Sequence, residues 1–168
     1  FLCPIELMKN KILHILLFIL LSNFIYFNGY GNEQFNFAVT EVEILDNGNI
    51  FKGLKKGTVT TDDNITIIAD TFIYDKLSNI LTANGNVEII DPNQDLKIYS
   101  DNAVYQKNNE IINTYRNSKA VYGVGKFIYA DTFKVFRNKN ILNAKDNVKI
   151  QNTIDDHLIT GEDFTYFK

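Results

Sequence analysis

Four segments of this chain recur in phase, and a repeat of this length constrains the architecture before any single side chain is interpreted. They are Ile68-Ala69-Asp70-Thr71-Phe72-Ile73-Tyr74, Tyr99-Ser100-Asp101-Asn102-Ala103-Val104-Tyr105, Tyr129-Ala130-Asp131-Thr132-Phe133-Lys134-Val135 and Thr160-Gly161-Glu162-Asp163-Phe164-Thr165-Tyr166. The acid advances by 31, 30 and 31 residues. Ten residues after the first three acids stands an apolar pair, Ile80-Leu81, Ile111-Ile112 and Ile141-Leu142, and sixteen residues after them stands Asn86, Asn117 or Asn147. A degenerate first copy precedes these, with Val42 and Ile44 matching Phe72 and Tyr74, and Ile50-Phe51 matching Ile80-Leu81.

Within each unit the side chains alternate over short stretches rich in Ile, Val, Thr, Tyr and Phe, which is the period of strands. Asp46-Asn47-Gly48-Asn49, Lys76-Leu77-Ser78-Asn79, Asn84-Gly85-Asn86 and Lys107-Asn108-Asn109-Glu110 supply residues that accept turn geometry, including left-handed positions. Each unit is expected to hold two or three short strands. No apolar i, i+3, i+4 pattern of helical length follows residue 32, so the domain is predicted to be all-β. Repeated strand pairs must bury one face, which leaves a folded-over sheet, a jelly roll or a β-helix.

Residues 12–27, ILHILLFILLSNFIYF, follow Lys9 and Lys11 and precede Asn28-Gly29-Tyr30-Gly31. A basic start, an apolar run and small polar residues describe a secretory signal peptide, expected as a helix and short of the roughly 20 residues a spanning helix needs, with a permanent anchor as the minor alternative. The chain therefore divides into residues 1–31, upstream residues plus signal, and one domain over residues 32–168. That domain has roughly 135 to 140 residues, enough for one core and not for several domains. Cys3 is the only cysteine, so a domain exported to an oxidising compartment must be held by its core without a disulfide. The last unit stops at Lys168 before its second half, as if a longer protein continued.

Catalytic chemistry is thin. His157 is the sole histidine after the signal, and Asp155-Asp156-His157 between Thr153 and Leu158 reads as a solvated turn rather than a metal or acid–base site. Asp62-Asp63 before Asn64 reads the same way. The repeated acids Asp70, Asp101, Asp131 and Glu162 are expected to accept N–H bonds at a bend between strands. The domain is not expected to be an enzyme or to carry a metal or cofactor. With a net charge of −3 and bases dispersed among acids, nucleic acid is not an expected partner.

The unit Ile68-Ala69-Asp70-Thr71-Phe72-Ile73-Tyr74, Asn79-Ile80-Leu81-Thr82-Ala83 and Gly85-Asn86-Val87-Glu88-Ile89 resembles that of the OstA-like lipopolysaccharide-transport proteins of Gram-negative envelopes. The match covers about residues 35–168; Gly85 gives way to Arg116 and Asp146 in later units, and Val87 to Ser118. The resemblance implies an open, twisted β-jelly roll whose apolar interior shields lipid A acyl chains across the periplasm. Phe35-Asn36-Phe37 followed by Thr40-Glu41-Val42-Glu43-Ile44 looks most like the N-terminal domain of the outer-membrane translocon, the alternative being a free periplasmic bridge protein. Implied partners are lipopolysaccharide, a second OstA-like jelly roll joined by edge strands, and an outer-membrane barrel in the same full-length chain. Implied localisation is the periplasm, in association with the outer membrane.

Acyl-chain burial supports the same logic, since a twelve-carbon chain left in water forfeits on the order of 9 kcal/mol. The alternating strands offer Phe72, Tyr74, Leu81, Tyr105, Phe133, Val135, Leu142, Phe164 and Tyr166 as groove candidates, each of which would serve equally as core. An exported β-solenoid, structural or adhesive, would also show strands recurring at this period and needs no ligand.

Overall fold

The repeat folds as one continuous meander in the computed structural model, which describes residues 35–167. The segment read as a signal peptide, and the boundary at residue 31, lie outside the described residues. Twelve strands follow in order: β1 (Phe35–Val39), β2 (Val42–Leu45), β3 (Ile50–Gly53), β4 (Gly57–Thr61), β5 (Thr66–Ala69), β6 (Thr71–Asp75), β7 (Ile80–Asp91), β8 (Leu96–Gln106), β9 (Ile111–Tyr122), β10 (Lys126–Phe136), β11 (Ile141–Asn152) and β12 (His157–Phe167). Between several of them sit single 3-10 turns, closed by left-handed residues such as Asp95, Glu110 and Asn140. Every pairing among the described strands is antiparallel, which excludes the parallel coils of a β-helix.

The units differ from expectation in strand length. Instead of two or three short strands, each later unit supplies two long ones bent at mid-length. Asp70 separates β5 from β6, yet these pair with the two halves of a single strand, Ile68 against Glu88 and Thr71 against Asn84. β1 with β2, and β3 with β4, are likewise broken halves of longer runs.

The bend has a repeated cause. Gly85-Asn86 in β7, Arg116-Asn117 in β9 and Asp146-Asn147 in β11 all have positive φ, between 48° and 76°, and the ladder slips register at each pair. Two left-handed residues opposing one on the neighbouring strand make a bulge that turns the strand. Asn accepts that conformation better than other side-chain-bearing residues. Asn86 donates through Nδ2 to Asp70 at 2.7 Å, Asn117 to Asp101 at 3.0 Å and Asn147 to Asp131 at 2.8 Å. The repeated acids thus accept from an asparagine side chain sixteen residues on, not from the backbone N–H groups expected of them. Glu162, on β12, stands opposite the bulge of β11.

The bends fold the sheet into two layers. The first holds β1, β4, β5 and the adjoining halves of β7 to β12; the second holds β2, β3, β6 and the other halves. Phe35 of β1 meets Tyr74 of β6 and Tyr105 of β8, with ring centroids 4.9 and 5.9 Å apart, although β1 pairs with neither strand. Contact across the gap, not along the ladder, joins them. The core fills this gap, and β12 at one edge and β1 with β2 at the other close the meander without a further strand among the described residues.

Removing one partner of the Asp101–Asn117 brace should cost about 1 kcal/mol. In a double-mutant cycle read by urea unfolding, Asp101→Ala with Asn117→Gly should destabilise little more than either alone, because glycine keeps the left-handed backbone and only the shared bond is lost.

Candidate functional site

Cross-strand register places all nine groove candidates on the inner face of one layer. Nearer the bends runs Val42–Gly53–Phe72–Ala83–Ala103–Thr114–Phe133–Ala144–Phe164, each residue opposite the next. Beside it, toward the turns, runs Ile44–Phe51–Tyr74–Leu81–Tyr105–Ile112–Val135–Leu142–Tyr166. Phe72, Leu81, Tyr105, Phe133, Val135 and Leu142 are buried, whereas Tyr74, Phe164 and Tyr166 are half-buried. Equal offsets from the repeated acid thus reach equal faces, as period-2 geometry requires.

The opposite wall was not singled out from sequence. It is the row Phe37–Val59–Ile67–Ile89–Ile98–Ala120–Ile128–Ile150–Ile159 of the first layer. Its signal was present as apolar residues three before each repeated acid and three after each repeated asparagine, but only the bend turns that second run of alternation toward the first. Together the rows form an apolar interlayer groove. A hollow of about 390 Å³ on β9 to β12 is not part of this groove: most of its lining, including Tyr115, Thr132, Lys134, Lys145 and Asp163, has the outward-facing register.

The layers are displaced along the groove. Phe35 of β1 lies over β6 and β8, and Tyr122 of β9 over Tyr166 of β12 with ring centroids 4.6 Å apart. Each end therefore leaves a half-hairpin without a facing layer. Val42 and Ile44, at 49% and 58% exposure, mark one overhang, and Ile159, at 57%, marks the other. Phe164 and Tyr166, in the second-layer half of β12, are half-buried.

The long rim where the turns of both layers meet is closed by charge. Arg137, from the turn between β10 and β11, is buried; its Nε donates to Asp91 at 2.8 Å, and its Nη1 to Asp63 at 2.6 Å, to the Tyr105 hydroxyl at 2.9 Å and to Glu110. Lys107, between β8 and β9, lies 2.9 Å from both Asp63 and Glu110 and 3.3 Å from Asp62. Gln94 donates to the Arg137 carbonyl at 2.8 Å. Asp63, Asp91 and Gln94 come from first-layer turns and Tyr105, Lys107, Glu110 and Arg137 from the second layer, so the cluster bridges the two. Asp62-Asp63 is accordingly more than a solvated turn.

Burial alone would raise the Asp63 carboxyl, but hydrogen bonds from Thr61, Lys107 and Arg137 outweigh it and hold the group well below the usual carboxylate range. For Tyr105, burial is the main reason that the hydroxyl is pushed up, so it stays protonated and donates to Glu110 at 2.8 Å. Burial opposes the charge on Arg137, yet Asp91, Asp63 and the remaining partners more than restore it. Nothing in the sequence flagged this cluster beyond Arg137 being one of two arginines in the chain.

Asp155 and Asp156 are exposed, with Asp156 left-handed and Asp155 accepting from Asn152 at 2.6 Å, the arrangement of a solvated turn. Among the described residues no three His, Cys, Asp or Glu side chains gather as metal ligands would.

No family model and no curated protein matches the chain. Among solved structures it is similar to the crystal structure of LptH, the LptA-homologous periplasmic component of the conserved lipopolysaccharide transport device from Pseudomonas aeruginosa. The superposition gives a TM-score of 0.62 over 82% of this chain and 97% of that one, at 14% sequence identity. The likeness establishes the fold as that open β-jelly roll.

Replacing Arg137 by Met should cost about 3–5 kcal/mol in urea unfolding, because it leaves the buried Asp91 carboxylate unpaired. Asp63, depressed in the folded state, contributes stability that is complete above its unfolded value of about 3.9 and is lost as pH falls further. Asp63→Asn should therefore be less stable than the parent at neutral pH, and its stability should change less than the parent's between about pH 4 and about pH 2.

Proposed function

We propose that this domain is a non-catalytic carrier of lipopolysaccharide in the Gram-negative periplasm, sheltering lipid A acyl chains between its two layers. The observation that carries the reading is the largely apolar lining: two inner rows of one layer, with Thr114 among their members, face a third row of the other through the middle of the meander. Phe72, Tyr74, Leu81, Tyr105, Phe133, Val135, Leu142, Phe164 and Tyr166 form one wall of it. Acyl burial there supplies affinity, and an open groove without a specific end lets the lipid pass onward unchanged.

A bridge-type protein fits better than the translocon domain, since the solved structure matched over nearly its full length is a periplasmic component of a lipopolysaccharide transport device. The translocon reading rests on the opening Phe35-Asn36-Phe37 followed by Thr40-Glu41-Val42-Glu43-Ile44. Either form would be delivered by the N-terminal signal and would hand lipid toward the outer membrane.

The ends support assembly with another jelly roll. Among the described residues β12 and β1 with β2 are the outer strands of the ladder, and the overhangs expose apolar residues that a second domain would cover. Such a join makes two grooves continuous.

A photo-crosslinking residue at Phe133 or Tyr166 should capture lipopolysaccharide, whereas one at Lys134, exposed on the outer face between them, should not. Equal labelling at inner and outer positions would sink the groove. Phe133→Asp should abolish capture, because a carboxylate against acyl chains must desolvate or neutralise. Charges at both overhangs, Ile44→Glu with Ile159→Glu, should lower end-to-end self-association in sedimentation while leaving the fold unchanged, both positions being more than half exposed.

A further inference from the structure

The carrier reading needs space between the layers, and the packed core leaves little of it. Phe72, Leu81, Tyr105 and Phe133 are at most 2% exposed. The layers must part before a chain can lie between them, and the two halves of the long rim are held together by different forces. We propose that the Arg137–Lys107 cluster is a fixed latch, and that the first-layer halves of β9 to β12, which the cluster does not hold, part from the second layer and swing away from the latch to admit acyl chains through the rim.

The rim contacts are unequal. On the latched side the turns after β4 and β7 are tied to those after β8 and β10 by Arg137, Lys107 and Gln94, through bonds of fixed direction that must break together. Asn93 adds a bond from its Nδ2 to the Asp63 carbonyl at 3.0 Å, joining two first-layer turns. On the other side the contact across the rim is the tilted ring pair Tyr122–Tyr166. A ring contact has no obligatory direction and can slide or separate while its neighbours hold.

Coverage follows the same gradient. Along one inner row Ile67 and Ile89 are 1% exposed and Ile128 3%, Ile150 is half-buried, and Ile159 reaches 57%. Low local packing density marks segments that open at little cost. The latch also explains why Arg137 is drawn into the rim when so many lysines stay at the surface: a planar fork holds several carboxylates at once.

This deepens the carrier reading, on which the purpose of the opening rests, but the opening itself can be measured without lipid. In the full chain with Cys3→Ser, a single cysteine is placed at Ile89→Cys or at Ile128→Cys, and its reaction with Ellman's reagent is followed in native buffer. The expected result is labelling about tenfold faster at position 128 than at position 89. Arg137→Met added to Ile89→Cys should bring its rate up to that of Ile128→Cys, with the fold checked by circular dichroism. Equal rates in the Arg137 parent would overturn the latch, because global unfolding exposes both thiols alike; this comparison stands even where Arg137→Met fails to fold. A folded Arg137→Met variant that leaves position 89 slow would overturn it too. Unequal labelling together with no capture of lipopolysaccharide would instead refute the carrier reading and leave the latch in place.

Discussion

A single antiparallel sheet of this length has two faces and one supply of apolar residues, so it must cover one face with itself. The device that does so is a left-handed residue pair in the middle of β7, β9 and β11, braced by an aspartate from the neighbouring strand. Everything else depends on it. Without the bulge, inner residues on either side of the bend would share a flat surface, and the apolar rows of Ile89 and of Leu81 would both face water. With it, each strand contributes to both layers, and one short motif repeated along the chain builds a two-walled groove.

Repetition also explains why the layers close unevenly. A meander adds strands by the same rule at every step, so its ends differ from its middle only through what is missing there. Displacement of the layers leaves β2 with β3 uncovered at one end and β11 with β12 at the other, with Val42, Ile44 and Ile159 exposed. Apolar residues at an open edge are a liability for an isolated domain and an asset for one that joins another. The charged cluster is the exception to the repeat. Buried ion pairs contribute little net stability against an apolar replacement but fix geometry, and here the geometry fixed is the spacing of two sheets.

The proposed carrier role asks for little beyond this frame. No bond to be made or broken is implied by an apolar groove; what matters is a lining deep enough to replace water along an acyl chain and wide enough to release it. Packed aromatic and aliphatic side chains can separate and re-form without leaving a polar group unpaired, which an ion cluster cannot do. Apolar rows suited to transit and a charged rim suited to holding shape therefore divide the work of the fold between them.

The sequence by itself determined the local terms. Period-2 alternation fixed the strands, Asn, Asp and Gly fixed the turns, and the recurrence of Asp70, Asp101 and Asp131 with Asn86, Asn117 and Asn147 sixteen residues later marked the bend, although not the bond between the two side chains. Equal register placed Phe72, Phe133 and Phe164 on one face, because a strand's side chains can point only two ways. Tertiary structure alone decided what those faces meet. Which layer Ile67, Ile89 and Ile128 confront, how far the layers slide, and that Asp63, Asp91 and Arg137 come together from turns as much as 74 residues apart all depend on the fold angle at the bulges. That angle is set by the packing of two sheets against each other, and no local pattern encodes the distance between residues that become neighbours only when the sheet closes.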